Sequence, residues 1–422
     1  MTDKTILVIG TYDTKDDELS YLAGVIRAQG GKVVTMDVSV LGDPSGATDY
    51  SKHDVAREAG SSIAAAIAEN SENAAMQIMA AGAALLTSRL YSGRAFDGVI
   101  VLGGSMGTDL ALDVCAALPL GVPKYIVSTI AFSPLIPAAQ LAADTQMILW
   151  AGGLYGLNSV CKASLSQAAG AVLGAARAVE PPDRTKPLIG MTSLGTSALS
   201  YMVALKPALE QRGFEVAVFH ATGMGGRAFE SLAGQGAFAC VFDFCTQELG
   251  NHTHGSTISA GADRLTNAGL KATPQLVAPG CYDLVDIVGW QGVPDKWASH
   301  PMHAHNRLIT SIVLNTDERR AVARAHCRQL ASAKAPVAVL LPHHGCGEWD
   351  REGADLHDKT GLAAFLAELA AGLSSTHTNT STSTGTNTVQ AYHIDGHIND
   401  AIFAQTALGI FDRWCAEGVV RA

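Results

Sequence analysis

The 422-residue chain is short of the features that would send it to a membrane, a nucleic acid or an oxidising compartment. It has no uninterrupted apolar run approaching the roughly 20 residues that span a bilayer. No basic stretch followed by a longer apolar run stands near Met1, so no secretory signal is read there. Charged residues make up only 16% of the chain and the formal net charge is -10. That balance argues against non-specific nucleic-acid binding, which requires a basic surface. Eight cysteines are scattered through the sequence with no CxxC pair, which predicts free thiols in a reducing, cytoplasmic setting. The Gly-Lys-Ser/Thr ending of a Walker A loop is missing, and so is the HExxH signature of a zinc protease.

What is abundant is apolar and small. Residues of the hydrophobic class reach 48%, and there are 43 glycines, many in short clusters just after apolar runs. A chain of this length and composition predicts two domains with large cores. The first half alternates strand-like and helix-like patterns: Ile6–Ile9, a loop over 11–17, a helix from Glu18 to Gln29, a strand at Val33–Met36, and a long alanine-rich helical region from about Ser61 to Arg89. Strands at Gly98–Leu102 and Tyr125–Val127 follow. Pro181-Pro182-Asp183-Arg184 interrupts the pattern, and the same rhythm resumes at Leu188–Met191, Glu215–His220, Ala239–Phe244, Gln275–Ala278 and Val337–Leu341. The expected fold is α/β, with two Rossmann-like three-layer domains over 1–182 and 183–422 and mainly parallel sheets. The Ser/Thr/Asn-rich stretch 374–388 is expected to be a mobile surface loop inside the second domain.

In such sheets the ligand crevice lies at the carboxyl ends of the strands, where helix N-termini offer free N–H groups to phosphate. Gly103-Gly104-Ser105-Met106-Gly107-Thr108 directly follows a strand and is the clearest candidate; a plain strand-to-helix turn is the alternative. Gly10-Thr11-Tyr12-Asp13-Thr14-Lys15 could hold a phosphate–Mg²⁺ unit, with Lys15 as point charge and Asp13 as the metal-side ligand, or it could simply cap the next helix. Asp37 ends a strand where a ribose hydroxyl is often met, and Ser128-Thr129 could complete the pocket. In the second half, Gly223-Met224-Gly225-Gly226-Arg227-Ala228 partly matches a dinucleotide fingerprint, with Asp243 about 20 positions on. Histidines gather at 252/254, 300/303/305, 343/344 and 393/397 without a standard metal-ligand spacing. Asp243, Glu248, Asp283 and His305 are the candidates for acid–base work.

Taken together, these motifs, with Pro279-Gly280-Cys281-Tyr282-Asp283, His305-Asn306 and His397-Ile398-Asn399-Asp400, resemble a bacterial and plant family of ATP-binding proteins. That family is typified by the N-terminal inhibitor domain of the tomato mosaic virus resistance protein. The resemblance spans nearly the whole chain and keeps the order of motifs. It implies an ATP-binding Rossmann-like first domain, a second α/β domain, ATP with Mg²⁺ as cofactors, a homodimer, and a separately encoded TIM-barrel partner. It carries the ATP role onto Thr11, Asp13, Thr14, Lys15 and residues 103–108. The chain departs from the family pattern at Arg307, where relatives commonly carry Pro after the Asn, and in the Ser/Thr-rich insert. The functional expectation is an enzyme using ATP and Mg²⁺ on a small metabolite at a cleft between the domains. The alternatives are a nucleotide-gated binding module and, on the second glycine loop, an NAD-dependent oxidoreductase.

Overall fold

β-rich runs such as Leu7-Val8-Ile9 and Val99-Ile100-Val101 are apolar at every position, so their strands can be stable only if both sheet faces are covered. The computed structural model, which describes residues 3–137, 140–150, 152–180, 185–376 and 389–421, places them so. The chain divides into two compact units, 1–182 and 183–422. Among the described residues no helix is long and apolar enough to cross a membrane.

In the first unit the strands are β1 (Thr5–Gly10), β2 (Lys32–Asp37), β3 (Gly98–Gly103), β4 (Lys124–Ser128) and β5 (Thr145–Leu149). They form one sheet in the order β2-β1-β3-β4-β5, with every pairing parallel. The helices are α1 (Tyr12–Ala28), α2 (Lys52–Glu58), α3 (Ile63–Ala68), α4 (Glu72–Ser92), α5 (Ser105–Ala116) and α6 (Ser159–Ala178). One core packs α4 and α5 against β1 and β3 through Met79, Leu86, Leu110 and Val101. A second packs α1 and α6 on the opposite face through Leu19, Leu22, Leu165 and Val172. The β1–β2 connection runs one way and the chain then crosses back to β3, so the direction of winding switches between β1 and β3.

The second unit has a six-stranded, all-parallel sheet in the order β14-β13-β9-β8-β6-β7. In chain order it contains β6 (Leu188–Ser193), α7 (Ser200–Gln211), β7 (Glu215–His220), α8 (Met224–Gly234), β8 (Cys240–Cys245), α9 (Gln247–Thr253), α10 (Asn267–Leu270) and β9 (Gln275–Gly280). A small antiparallel sheet of β10 (Leu284–Val288), β11 (Met302–Ala304) and β12 (Ile309–Val313) follows. The unit closes with α11 (Thr316–Leu330), β13 (Val337–Pro342), α12 (Lys359–Thr376), β14 (Val389–Ile394) and α13 (Ala401–Ala416).

Local details differ from the sequence pattern. The stretch 11–17 is not a loop: α1 starts at Tyr12, with Lys15 in a non-helical conformation three residues in. The alanine-rich region is helical as expected, in two helices, because Asn70 takes a left-handed φ of 48° and Ser71 caps a new helix. Alanine favours helix everywhere, so the break is written only in the Asn-Ser pair. Strand β5 and the antiparallel sheet were not anticipated at all. The boundary residues 181–184 and most of the Ser/Thr-rich stretch, 377–388, lie outside the described residues.

Candidate functional site

At the β1/β3 switch of the first unit lies a cavity of about 870 Å³, the position at which open α/β sheets hold ligands. Its walls come from four places. The β1–α1 turn supplies Thr11, Asp13, Thr14 and Lys15, and the start of α5 supplies Gly103, Gly104, Ser105, Met106 and Gly107. The segment after β2 supplies Val40 and Leu41, and the α3–α4 turn supplies Ala66, Ile67, Asn70, Ser71, Glu72, Ala75 and Met76. One side is therefore mainly polar backbone and hydroxyl, and the other combines aliphatic Val40, Leu41, Ala66, Ile67, Ala75 and Met76 with the polar Asn70, Ser71 and Glu72. Leu41 is 79% exposed and Ile67 48%, as befits side chains facing an open cavity.

The first-turn N–H groups of a helix have no intrahelical partner and need an outside acceptor. In this unit α2, α3, α4 and α6 find one in Ser51, Ser62, Ser71 and Asn158. In α1, the Tyr12 N–H donates to Asp37 Oδ1 at 3.2 Å and the Asp13 N–H to Ser39 Oγ at 3.1 Å. Helix α5 differs. Its N-cap is Gly104, it has no side-chain cap, and the N–H groups of Ser105, Met106 and Gly107 have no partner among the described residues. Those three amides stand at the cavity wall.

The remaining predicted residues build the frame and do not line the cavity. Asp37 is buried and also accepts from the Ser39 N–H and hydroxyl, so its Oδ1 ties the end of β2 to the β1–α1 turn. Thr108 Oγ1 donates to the Gly104 carbonyl at 2.7 Å and shares a 2.7 Å hydrogen bond with Ser128 Oγ. The Thr129 N–H donates to the Gly103 carbonyl at 3.3 Å, so the Ser-Thr pair pins the α5 turn to β4. A side chain at Gly10 would meet the Leu19 methyls at 2.7 Å, so Leu19 would have to shift to admit one. Asp13 accepts from the Gly42 N–H at 3.1 Å through Oδ2, leaving Oδ1 without a partner among the described residues. The residues missed from the sequence are those of the aliphatic wall. The Asn70-Ser71 break was their signal, since a helix stop beside a helix start marks a turn where side chains can line a cavity.

The second glycine loop has a different fate. The N–H groups of Gly223 and Gly226 at the start of α8 donate to Glu248 Oε1 at 2.6 and 3.0 Å. A carboxylate of the chain itself thus occupies the seat an external phosphate would take. A Cβ on Gly226 would collide with that carboxylate. Gly225 passes so close to the His220 carbonyl that it too has no room for a side chain. Glu248 Oε2 accepts from Arg264 Nε at 2.9 Å, and Asp243 Oδ1 accepts from Arg264 Nη2 at 2.7 Å. Glu230 completes the group, 3.2 Å from Arg264 Nη1. All four side chains are 0–1% exposed. Burial pushes Glu230 up to about 7 despite the neighbouring guanidinium, and raises Glu248 in the same way. Asp243 and Glu248, expected as acid–base groups, are therefore the buried counter-ions of Arg264.

Asp283 is also fully buried, and neither carboxylate oxygen has a partner on another described residue. Burial raises its pKa, against the opposing charge of Arg319. His305 is exposed, with its ring 6.1 Å from that of Trp349. Of the histidine groups, 343/344 and 393/397 meet, with His343 Nε2 and His393 Nδ1 2.9 Å apart, but among the described residues no three His, Cys, Asp or Glu side chains gather as metal ligands.

Fold and site together define a class: an α/β protein with two parallel-sheet, Rossmann-like units, the first carrying an open cavity at its switch point. The chain belongs to the Uncharacterised protein family UPF0261, whose N-terminal domain matches residues 4–181 and whose C-terminal domain matches residues 186–415. It is 53% identical over 415 residues to a UPF0261 protein of Brucella melitensis, covering 98% of this chain and 96% of that one. A UPF0261 protein of Mesorhizobium japonicum is 30% identical over 409 residues, covering 97% and 99%. The ToMV resistance protein Tm-1(GCR237) of Solanum lycopersicum is 27% identical over 434 residues, covering 96% of this chain and 55% of that protein. Among solved structures, a UDP-N-acetylglucosamine 2-epimerase covers 66% of this chain and 79% of its own at 9% identity, with a TM-score of 0.21. That superposition is too loose to argue from.

Proposed function

We propose that the first unit binds ATP in the cavity between β1 and β3. The observation that carries the reading is the uncapped start of α5, whose three free amides open onto a cavity with an aliphatic wall on its other side. Free N–H groups at a helix N-terminus suit a phosphate chain, and Ile67, Met76 and Leu41 suit the faces of a base. Thr11, Thr14 and Lys15 add hydroxyl donors and one positive charge beside the same amides. Asp13, with one carboxylate oxygen unspent, fits a Mg²⁺ carried in on the phosphates. The resemblance to the ATP-binding family falls on these same turns. We further propose that the bound nucleotide is used on a small metabolite; release of ADP or phosphate in the presence of candidate metabolites separates that role from a nucleotide-gated binding module.

The deciding experiment is titration calorimetry with ATP and Mg²⁺ on the unmodified chain and on Gly104→Asp. A Cβ at Gly104 meets nothing closer than Thr129 Oγ1 at 3.8 Å, and its φ of -75° suits any residue. An aspartate there would cap α5 itself, adding about 1 kcal/mol of helix stability while occupying the amides. The expected result is a melting temperature unchanged or raised and an affinity for ATP reduced at least about tenfold, since charge-assisted hydrogen bonds contribute roughly 1.5–3 kcal/mol each. Unchanged affinity would exclude the α5 amides from the phosphate site.

A further inference from the structure

We propose that Tyr155 is a positioning residue for Lys15, holding its ammonium at the rim of the nucleotide cavity; the inference rests on the nucleotide reading above. Lys15 is the one cation among the residues that line the cavity. Its Nζ lies 5.5 Å from the centroid of the Tyr155 ring. Tyr155 is 95% exposed, so burial does not explain where the ring stands. The turn that displays it does.

That turn is braced on three sides. Trp150 Nε1 donates to the Gly153 carbonyl at 2.6 Å. The Gly156 N–H donates at 2.8 Å to Glu18 Oε1, a carboxylate of α1 that is 1% exposed. Leu154 is buried in the core that contains Tyr12 and Leu19 of α1. Gly153 and Gly156 take φ values of 74° and 91°, which a side chain would strain, and so bend the chain around Tyr155. The turn is thereby fastened to the helix that carries Lys15. Lys15 itself leaves helical geometry, with φ -129° and ψ 19°. The backbone thus sets where the ring and the lysine stem start, and the contact between them sets where the ammonium ends.

The chemistry of the contact matters. A lysine stem has many rotamers, and ordering it on ligand binding costs entropy. A carboxylate partner would order it but would also neutralise it toward phosphate. The face of an aromatic ring attracts the ammonium through its quadrupole and leaves the full charge available. An exposed ring on a rigid turn is therefore a fitting holder for a phosphate-seeking lysine.

The test is calorimetric titration of the full chain with Mg²⁺–ATP, tripolyphosphate and adenosine, using Tyr155→Phe, Tyr155→Ala, Lys15→Ala and the double variant Lys15→Ala/Tyr155→Ala. Removing the ring is expected to weaken ATP and tripolyphosphate by about threefold, the scale of an exposed cation–π contact, with adenosine unchanged. Tyr155→Phe keeps the π face and should match the unmodified chain. In the Lys15→Ala background, loss of the ring should add nothing. Equal weakening of adenosine and ATP would show that the ring meets the base instead, and overturn the proposal. An equal loss in the Lys15→Ala background would overturn it too. If the unmodified chain binds ATP and Tyr155→Ala binds it equally well, this proposal fails alone. If the unmodified chain binds none of the three, the nucleotide reading fails and takes this proposal with it.

Discussion

Arg264 shows what a single residue can hold together. Its guanidinium is fully buried and faces Asp243, Glu248 and Glu230, so three acids share one permanent cation. Taking the arginine away would leave those carboxylates in the interior with no counter-charge, which typically costs 3–5 kcal/mol. Arg264→Met should therefore lower the denaturant midpoint sharply. A variant as stable as the unmodified chain would mean the acids are protonated without it. The excess of acid also has a pH signature. Burial lifts Glu230 from its ordinary 4.5 to about 7. Between those values the folded chain keeps a proton that the unfolded chain has released. This contribution to stability is fully present below pH 4.5 and is lost as the pH rises through about 7, with a slope approaching 1.4 kcal/mol per pH unit for one proton. Urea unfolding across that range should show the slope, and Glu230→Gln should reduce it by one proton's share, leaving that of other raised carboxyls such as Asp350. An identical slope in the variant would assign the proton to another group.

At the scale of the element, the instructive comparison is between helix starts that look alike in the sequence. The turns before α1, α5 and α8 are all rich in glycine and small residues and all follow a strand. Asp37 and Ser39 fill the first and Glu248 fills the third, while the second stays free. The difference is decided by carboxylates and hydroxyls 22–26 positions away in the chain. Local pattern reading sees the strand, the turn and the helix, because hydrophobic period and glycine are local. It does not see which distant side chain folds back onto the amides. That is why residues 103–108 and Gly223–Gly226 read alike as phosphate loops on paper, although 103–107 line a cavity while Gly223 and Gly226 bind the chain's own Glu248. The glycines of the two turns make separable predictions. Gly225→Ala would drive a methyl into the His220 backbone carbonyl, and Gly103→Ala would place one 2.6 Å from the Gly107 Cα. Each should cost about 1–3 kcal/mol, as overpacking does. Gly104→Ala has free space around it and should leave the melting temperature nearly unchanged. Thermal unfolding of the three variants checks the ranking; a destabilised Gly104→Ala would show that the α5 turn needs a conformation only glycine provides.

At the scale of the whole chain, every hydrophobic cluster belongs to one unit. Those of the first run from Ile6 to Ala176, and those of the second from Leu188 to Val420. The break between them was legible because Pro181-Pro182 cannot continue a helix and a strand pattern restarts at Leu188. The antiparallel β10–β12 sheet was not, because its strands are short and sit among glycine, proline and histidine, with no periodic signal of their own. All described residues lining the cavity fall between Thr11 and Gly107, and the frame that shapes it, including Asp37, Ser128 and Glu18, lies in the same unit. If the site is built as argued, residues 1–182 carry everything needed to form it. Expressed alone, that segment should unfold cooperatively and bind ATP with the affinity of the full chain, within about twofold, a margin that keeps the free-energy difference below roughly 0.5 kcal/mol. Cooperative unfolding with lost binding would mean that the second unit supplies part of the nucleotide site, and the search for ligand groups would then move to the strand ends of its own sheet.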